Sequence, residues 1–436
     1  MTAKGYVNPR LLGAILWLIN VFTLSAQTYS LEDCQRMAKE NYPAIKRQNL
    51  IEQSRTYTLA NVNKMWLPQV SVAAQASYQS DRTTLPFDPE QVMKLTGGAS
   101  IDPVSKDQYK VTAQVNQLIY DGGQIRARRQ TESARSEVSQ KELETTLYAI
   151  RERVNELYFG SLLQADLLKQ NQLRQALLQA NYKRMKAHLA NGTASKSDVQ
   201  LLEVECLKAE QHEISIKASK EAFLTMLSHL TGEEMSATKT VLTEPDVLKW
   251  ANSSMVTRPE LPLFEAQRAL LDKQYKQLNT GLVPQVGFFL TGGYGRPGLN
   301  ALNNSFDAFY VAGVHLSWDL SKFYTIKNNR RLIKTQHQFV QNQRETFLFN
   351  IETQLEKQNR VIEEIRALLK HDERIISLRT SIRKAGEAKL ENGVYTTTDL
   401  VNDINQEDQA RQTASTQKTQ YLMAIYEKAF IQGTIK

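Results

Sequence analysis

The chain has 436 residues, 54 Lys and Arg against 46 Asp and Glu, and a formal net charge of +8. Hydrophobic residues make up 41% and charged residues 23%, which excludes a disordered chain; two Cys exclude a disulfide framework. A polytopic helical membrane protein needs several apolar runs of roughly 20 residues, and only one segment comes close.

That segment opens the chain. Lys4 and Arg10 precede the apolar run Leu11 to Leu24, and the small residues Ser25 and Ala26 follow it. A run of about 14 residues suits a signal-peptide core and is too short to span a bilayer. A signal peptide over 1–26, cleaved after Ala26, is expected. A lipoprotein signal would place Cys directly after the small residues, and Cys34 comes too late.

The remaining chain is written twice. Asn41-Tyr42-Pro43 leads to Leu67-Pro68-Gln69-Val70, and Arg258-Pro259-Glu260-Leu261 leads to Val283-Pro284-Gln285-Val286 with the same spacing between prolines. Tyr120-Asp121 matches Trp318-Asp319. Asn191-Gly192 with Ser197-Asp198 matches Asn392-Gly393 with Thr398-Asp399, and Gly232 matches Gly433. The repeats are 31–232 and 258–433. Each reads helix, strand, loop, strand, long helix, tight turn, helix.

The first helix is expected over 31–64, ending before Pro68, which lacks the N–H a continuing helix needs. Strands are expected at 69–80, 109–120, 285–294 and 308–320. In 69–80, Val70, Val72, Ala74, Ala76 and Tyr78 alternate with Ser71, Gln75, Ser77 and Gln79, the period-two pattern of a sheet with one polar face. Both strands of the first copy approach the ~10 residues of a tilted membrane strand. The last strand alternates poorly: Phe309 and Val311 fall on one face, Tyr310 and Val314 on the other. Breaker-rich loops with Pro86, Pro89, Gly97, Gly98 and Pro103, then Gly295, Pro297 and Gly298, separate the paired strands.

Asp121-Gly122-Gly123 starts an uninterrupted helix from Gln124 to Ala190, about 65 residues and roughly 100 Å of rise. A second runs from Lys322 to Glu391. Such lengths require packed partners, and Leu143, Leu147, Ile150, Val154 and Leu157 step by fours and threes like a coiled-coil seam. Leu202, Cys206 and Ala209, then Phe223, Leu227 and Leu230, continue the pattern after the turn. Glu213 and Lys220 interrupt it.

These blocks, in this order and twice over, resemble the TolC family of outer-membrane efflux ducts. The resemblance spans nearly the whole exported chain. It implies a mainly α fold with a small antiparallel β part. In a homotrimer, twelve strands would close a β-barrel in outer-membrane lipid, continued by a twelve-helix tunnel in the periplasm. It implies a passive conduit with no cofactor, docked to a periplasmic adaptor and an inner-membrane RND or ABC pump. The adaptor-docking tips would be Asn191, Gly192, Thr193 and Ser195, with Asn392, Gly393, Val394 and Thr396. The family's acidic ring after the second turn falls on Asp399. Its second acid falls on Asn402, with Asp403 off by one, and its basic turn residue on Tyr395. Pro68, Pro284, Asp121, Gly122, Gly123 and Asp319 would mark the change from barrel to tunnel.

Basic clusters follow the strands (Arg126, Arg128 and Arg129; Lys322, Lys327, Arg330 and Arg331), where anionic lipid headgroups are an expected partner. No nucleic-acid module accompanies them. The six His show no metal-ligand spacing, and no nucleophile elbow, phosphate loop or CxxC occurs. No enzymatic activity is expected. Cys34 and Cys206 lie too far apart along the helices to pair. A soluble periplasmic coiled-coil scaffold is the competing reading, and the poor alternation of 308–320 favours it.

Overall fold

The computed structural model describes residues 27–82, 93–94, 97, 104–246, 255–301 and 303–434. The expected signal peptide over 1–26, and Pro86, Pro89, Gly98 and Pro103 of the first loop, lie outside these residues. In chain order the elements are β1 (Gln27–Tyr29), α1 (Leu31–Asn41), a 3-10 turn (Pro43–Lys46), α2 (Arg47–Lys64), β2 (Gln69–Tyr78), β3 (Asp107–Tyr120), α3 (Gln124–Ala190) and α4 (Lys196–Thr231). Then follow β4 (Thr240–Leu242), α5 (Glu260–Thr280), β5 (Gln285–Arg296), β6 (Asp307–Ser317), α6 (Lys322–Glu391) and α7 (Thr397–Gln432). No helix among the described residues is long and apolar enough to cross a membrane.

The expected first helix is two helices. Tyr42 has ψ 129° and ends α1, because the ring of Pro43 disfavours helical backbone in the residue before it. Ser30 starts α1 as an N-cap: its hydroxyl accepts from the Asp33 amide at 3.1 Å, and the Asp33 carboxylate turns back to Ser30.

The chain forms two compact units. One gathers the described parts of Lys46–Leu143 and Glu260–Phe347 and holds a four-stranded sheet in the order β2-β3-β5-β6, all antiparallel. The central pair, β3 with β5, joins the two repeats. Its register puts Val70, Val72, Val111, Val115, Phe288, Leu290, Tyr310, Val314 and Leu316 on one continuous face. That face is uncovered: Val72 is 72% exposed and Tyr310 76%.

The opposite face explains the poor alternation of β6. Phe309 pairs with Gly293, Gly313 with Phe289, and His315 with Gly287. A Cβ on Gly293 would sit 2.5 Å from the Phe309 ring, and one on Gly287 2.6 Å from the His315 ring. Each ring therefore occupies the space a missing side chain leaves. Lys110 adds its ammonium 4.8 Å above the Phe309 ring. Phe309 is thus an aromatic filler on the polar side, and the apolar side of β6 is Tyr310, Ala312, Val314 and Leu316.

The junction residues belong to the same unit. Pro68 and Pro284 directly precede β2 and β5. Asp121 is buried and caps α3, its carboxylate accepting from the Gly123 amide at 2.8 Å and the Ile125 amide at 2.7 Å. Gly122 has φ +66°, and a Cβ there would lie 2.8 Å from Val283, so a side chain is excluded by both backbone and space. Asp319 is exposed and accepts from Ser321, whose hydroxyl holds its carboxyl below the ordinary range.

The other unit gathers the described parts of Met1–Ile45, Glu144–Pro259 and Leu348–Lys436. Leu147, Ile150 and Val154 of the seam are buried, each contributing ~2 kcal/mol by removal from water. The seam then moves from half-buried Leu157 to Tyr158 and Phe159. Tyr158 is drawn in because its hydroxyl donates to Thr243 O at 2.6 Å and reaches Tyr29 O at 3.0 Å. These oxygens flank a small parallel sheet of β1 with β4, an element with too few residues to show periodicity.

The paired motifs that open each repeat have one local job. Asn41 Nδ2 donates to His229 O and Leu230 O at the end of α4. Arg258 Nη1 donates to Phe430 O at the end of α7. Each satisfies carbonyls that a helix end leaves unpaired, beside Gly232 (φ +78°) or Gly433 (φ +80°). Cys34 and Cys206 are buried free thiols, and burial pushes Cys34 up to about 12.

Candidate functional site at the paired helix turns

The two turns end α3 and α6 by the same backbone device. Gly192 has φ +69° and Gly393 φ +73°. The amide of Gly192 donates to Leu189 O at 3.0 Å and that of Thr193 to His188 O at 2.9 Å. In the second turn Gly393 donates to Leu390 O at 3.0 Å and Val394 to Lys389 O at 3.1 Å. This left-handed cap recruits the last carbonyls of each helix. Asn191, Gly192, Thr193, Asn392, Gly393 and Val394 are all exposed.

Both following helices start with a reciprocal cap. The Asp198 amide donates to Ser195 Oγ and the Asp399 amide to Thr396 Oγ1, each at 3.1 Å. The hydroxyls in turn donate to Asp198 Oδ2 and Asp399 Oδ2, each at 2.6 Å. Asp198 lies below the ordinary carboxylate range through the Ser195 hydroxyl and then that of Thr397. Beneath them Leu178, Met185, Val199, Leu202, Cys206, Leu400, Val401 and Ile404 form one buried apolar cluster.

The four gate candidates divide. Asp399 is exposed and one of its oxygens is engaged in the cap. Asn402 is exposed one turn beyond. Tyr395 and Asp403 are brought together: the phenol donates to Asp403 Oδ2 at 3.0 Å. This bond raises the Tyr395 pKa, since ionised phenol would face a carboxylate. Both groups rest on Gly386, where a Cβ would meet Asp403 Oδ2 at 2.8 Å and the Tyr395 ring at 3.2 Å. Lys389 Nζ lies 5.8 Å from the Tyr395 ring centre.

Sequence reasoning missed a buried ionic network in the same unit. Arg174 on α3 donates to Asp408 at 3.1 Å, Glu205 at 3.3 Å and Asn405 at 2.8 Å, crossing from the first repeat to the second. Glu407 accepts from Arg383 Nε at 2.5 Å, Arg411 at 2.7 Å and Thr380 at 2.8 Å. Arg383 also pairs with Glu387 at 2.8 Å. Burial opposes the Glu407 charge, yet Arg411 and Arg383 outweigh it and hold its carboxyl below the ordinary range. For Asp408, burial outweighs Arg174 and the pKa is raised. The network borders a cavity of about 250 Å³. Its sequence signals were Arg383 with Glu387 and Glu407 with Arg411, both four residues apart on a helix.

Glu213, which breaks the seam in sequence, accepts from Gln175 at 2.7 Å and pairs with Lys217 at 2.6 Å. Lys220 lines a separate cavity beside β4.

The sequence of residues 35–233 matches the outer membrane efflux protein family. This segment is similar to an outer membrane efflux protein domain. It covers nearly all of the first repeat, from the start of α1 to the glycine cap after α4. No curated protein matches the chain in sequence.

Solved structures share the fold over most of the chain. The outer membrane protein VceC of Vibrio cholerae superposes with a TM-score of 0.64 at 12% identity, covering 91% of this chain and 95% of its own. The CmeC outer membrane channel of Campylobacter jejuni gives 0.63 at 13%, covering 92% and 85%. The open MtrE outer membrane channel of Neisseria gonorrhoeae gives 0.62 at 14%, covering 92% and 89%. At such low identity the likeness is one of fold.

Proposed function

We propose that the chain is one subunit of a homotrimeric outer-membrane export duct, a passive conduit completed by a periplasmic adaptor and an inner-membrane RND or ABC pump. The observation that carries this reading is the continuous, uncovered apolar face of β2-β3-β5-β6. Water does not favour an apolar face of this extent, and lipid does. Among the described residues, β2 and β6 are sheet edges with one neighbour each. A lone sheet with open edges leaves backbone groups unsatisfied in lipid. Three copies joined edge to edge remove the edges as a twelve-stranded barrel. The scaffold reading loses its main support, because Phe309 fills the space over Gly293 instead of breaking the face.

The exposed turns Asn191–Ser195 and Asn392–Thr396 are the proposed adaptor contacts, and the helices around them the periplasmic tunnel end. The proposed latch at that end is Tyr395 with Asp403, with Asp399 serving mainly as a cap. Pro68, Pro284, Asp121 and Asp319 set the change from strand to helix. The exposed Arg128 and Arg129 are placed at the lipid headgroups below it; their charge reversal should reduce membrane insertion.

The deciding experiment is the mass of the complex extracted from isolated outer membranes. A trimer recovered only with detergent supports the duct. A monomer or dimer released by osmotic shock alone replaces it with the scaffold.

A further inference from the structure

Above the turns, the helical unit carries two apolar stripes that no described residue covers. On α4 the stripe is Val204, Leu207 and Ile214; Leu207 is 55% exposed and Ile214 69%. On α6 it is Leu368, Ile375, Leu378 and Ile382, each exposed. Steps of three, four and seven residues keep each set on one side of its helix. The opposite side of α4 is occupied: Leu202, Cys206 and Ala209 share a buried cluster with Leu400 and Ile404 of α7. On α6, Arg383 turns inward to Glu407 of α7.

The stripes stand at one level. Val199 and Leu202 near the start of α4, and Leu400 and Val401 near the start of α7, belong to that same cluster, so the two turns are level. Counted from the turns at about 1.5 Å per residue, Val204 stands about 12 Å up α4 and Ile382 about 14 Å up α6. Leu207 and Leu378 stand at about 17 and 20 Å, and Ile214 and Ile375 at about 27 and 24 Å.

Charge agrees with level. Exposed Glu203 and Glu210 flank the α4 stripe, and exposed Arg374 and half-buried Arg379 flank the α6 stripe. None of the four makes a hydrogen bond or ion pair among the described residues. Glu210, about 21 Å up α4, falls between Arg379 and Arg374, about 18 and 26 Å up α6. The lysines near the α4 stripe are already engaged, Lys208 with Glu205 and Lys217 with Glu213.

We propose that α6 of one copy packs on α4 of the next through these stripes, with Glu210 set between Arg374 and Arg379. Two different patches that fit one another make a heterologous contact, and its repetition closes a ring. A partner of other sequence needs only one stripe, whereas this chain carries both mates, level and opposite in charge. The pairing stands on the helical unit alone; three as the number of copies rests on the export-duct reading.

The test uses the full chain purified in detergent and a short bismaleimide. V204C/I382C should run as covalent dimers and trimers on a denaturing gel, because each copy offers one thiol of either kind to a different neighbour. V204C alone, I382C alone and the wild-type chain, whose two Cys are buried, should run as monomers. E210R should weaken self-association by about fivefold, and adding R374E/R379E to the same chain should restore it. Circular dichroism reports whether each variant folds. A ladder from V204C alone, which marks α4 against itself, overturns the pairing, as does a failed rescue in a folded chain. No ladder from folded V204C/I382C also overturns it and leaves the stripes to a different partner. A detergent-dependent trimer without a ladder removes the pairing and keeps the duct. A ladder that continues past the trimer keeps the pairing and removes the trimeric duct.

Discussion

The two helix turns share a backbone and differ in what lies beneath them. Glycines at left-handed φ, paired carbonyl caps and a hydroxyl–aspartate box occur in both. Positions 201 residues apart then diverge in one direction. Tyr182, Met185, Ala194, Leu202 and Cys206 of the first repeat correspond to Arg383, Gly386, Tyr395, Asp403 and Glu407 of the second. Both turns stand on the shared apolar cluster, to which the second repeat adds the Tyr395–Asp403 hydrogen bond and the Arg383–Glu407 ion pair. Backbone geometry was kept because each long helix must end and reverse. The interior was free to specialise. A buried ionic network contributes little net stability over apolar packing, and most of its members come from the second repeat, with Arg174 and Glu205 from the first.

Swapping the two interiors breaks the comparison most sharply. Leu202→Asp places an unpaired carboxylate at a fully buried position and should cost roughly 4 kcal/mol or more. The matching Asp403→Leu should stay within about 1 kcal/mol. Urea unfolding of both variants checks the asymmetry, and equal losses would remove it. Arg383→Ala strips Glu407 and Glu387 of a buried partner, and should cost about 3 kcal/mol by the same measurement.

Acid should separate the repeats as well. Glu407 titrates below its ordinary 4.5 in the folded chain. The folded form therefore binds its proton less readily than the unfolded form. Its stabilisation is complete above about pH 4.5 and is lost as pH falls from there through the lower folded value. The Glu407→Gln chain should show a shallower loss of stability in that window, whereas Cys206→Ser should leave the acid limb unchanged. Tyr395→Phe removes one hydrogen bond to Asp403, at about 1 to 1.5 kcal/mol, and in the duct reading should raise antibiotic leakage through the outer membrane. The smallest effects belong to what the turns share. Ser195→Ala and Thr396→Ala should each cost about 1 kcal/mol in thermal unfolding, equal within error.

Much of the local structure was legible in advance. The helices over Gln124–Ala190 and Lys322–Glu391 run between the breakers that bound them in sequence. The first helix, expected as one element over 31–64, is split by the extended backbone that Pro43 imposes on Tyr42. Asp399, implied by the resemblance as the acidic ring, also has one carboxylate oxygen on Thr396, a local contact that the Thr-x-x-Asp spacing already encodes. Tyr395 with Asp403 required knowing that Gly386, on the facing helix, leaves room for both.

Sequence alone determined what depends on near neighbours along the chain: where helices stop, how the turns are capped, and the repeated order of elements. Such features follow from backbone sterics and side chains a few residues apart. Tertiary structure alone decided the face of β6, the join between Arg174 and Asp408, and the cavity shared by Glu152 and Glu427. The face of β6 depends on pairing with β5, and the other two on residues more than 200 positions apart; one-residue shifts in register or helix rotation would undo them. Proximity of that kind is a property of packing, and no local pattern carries it.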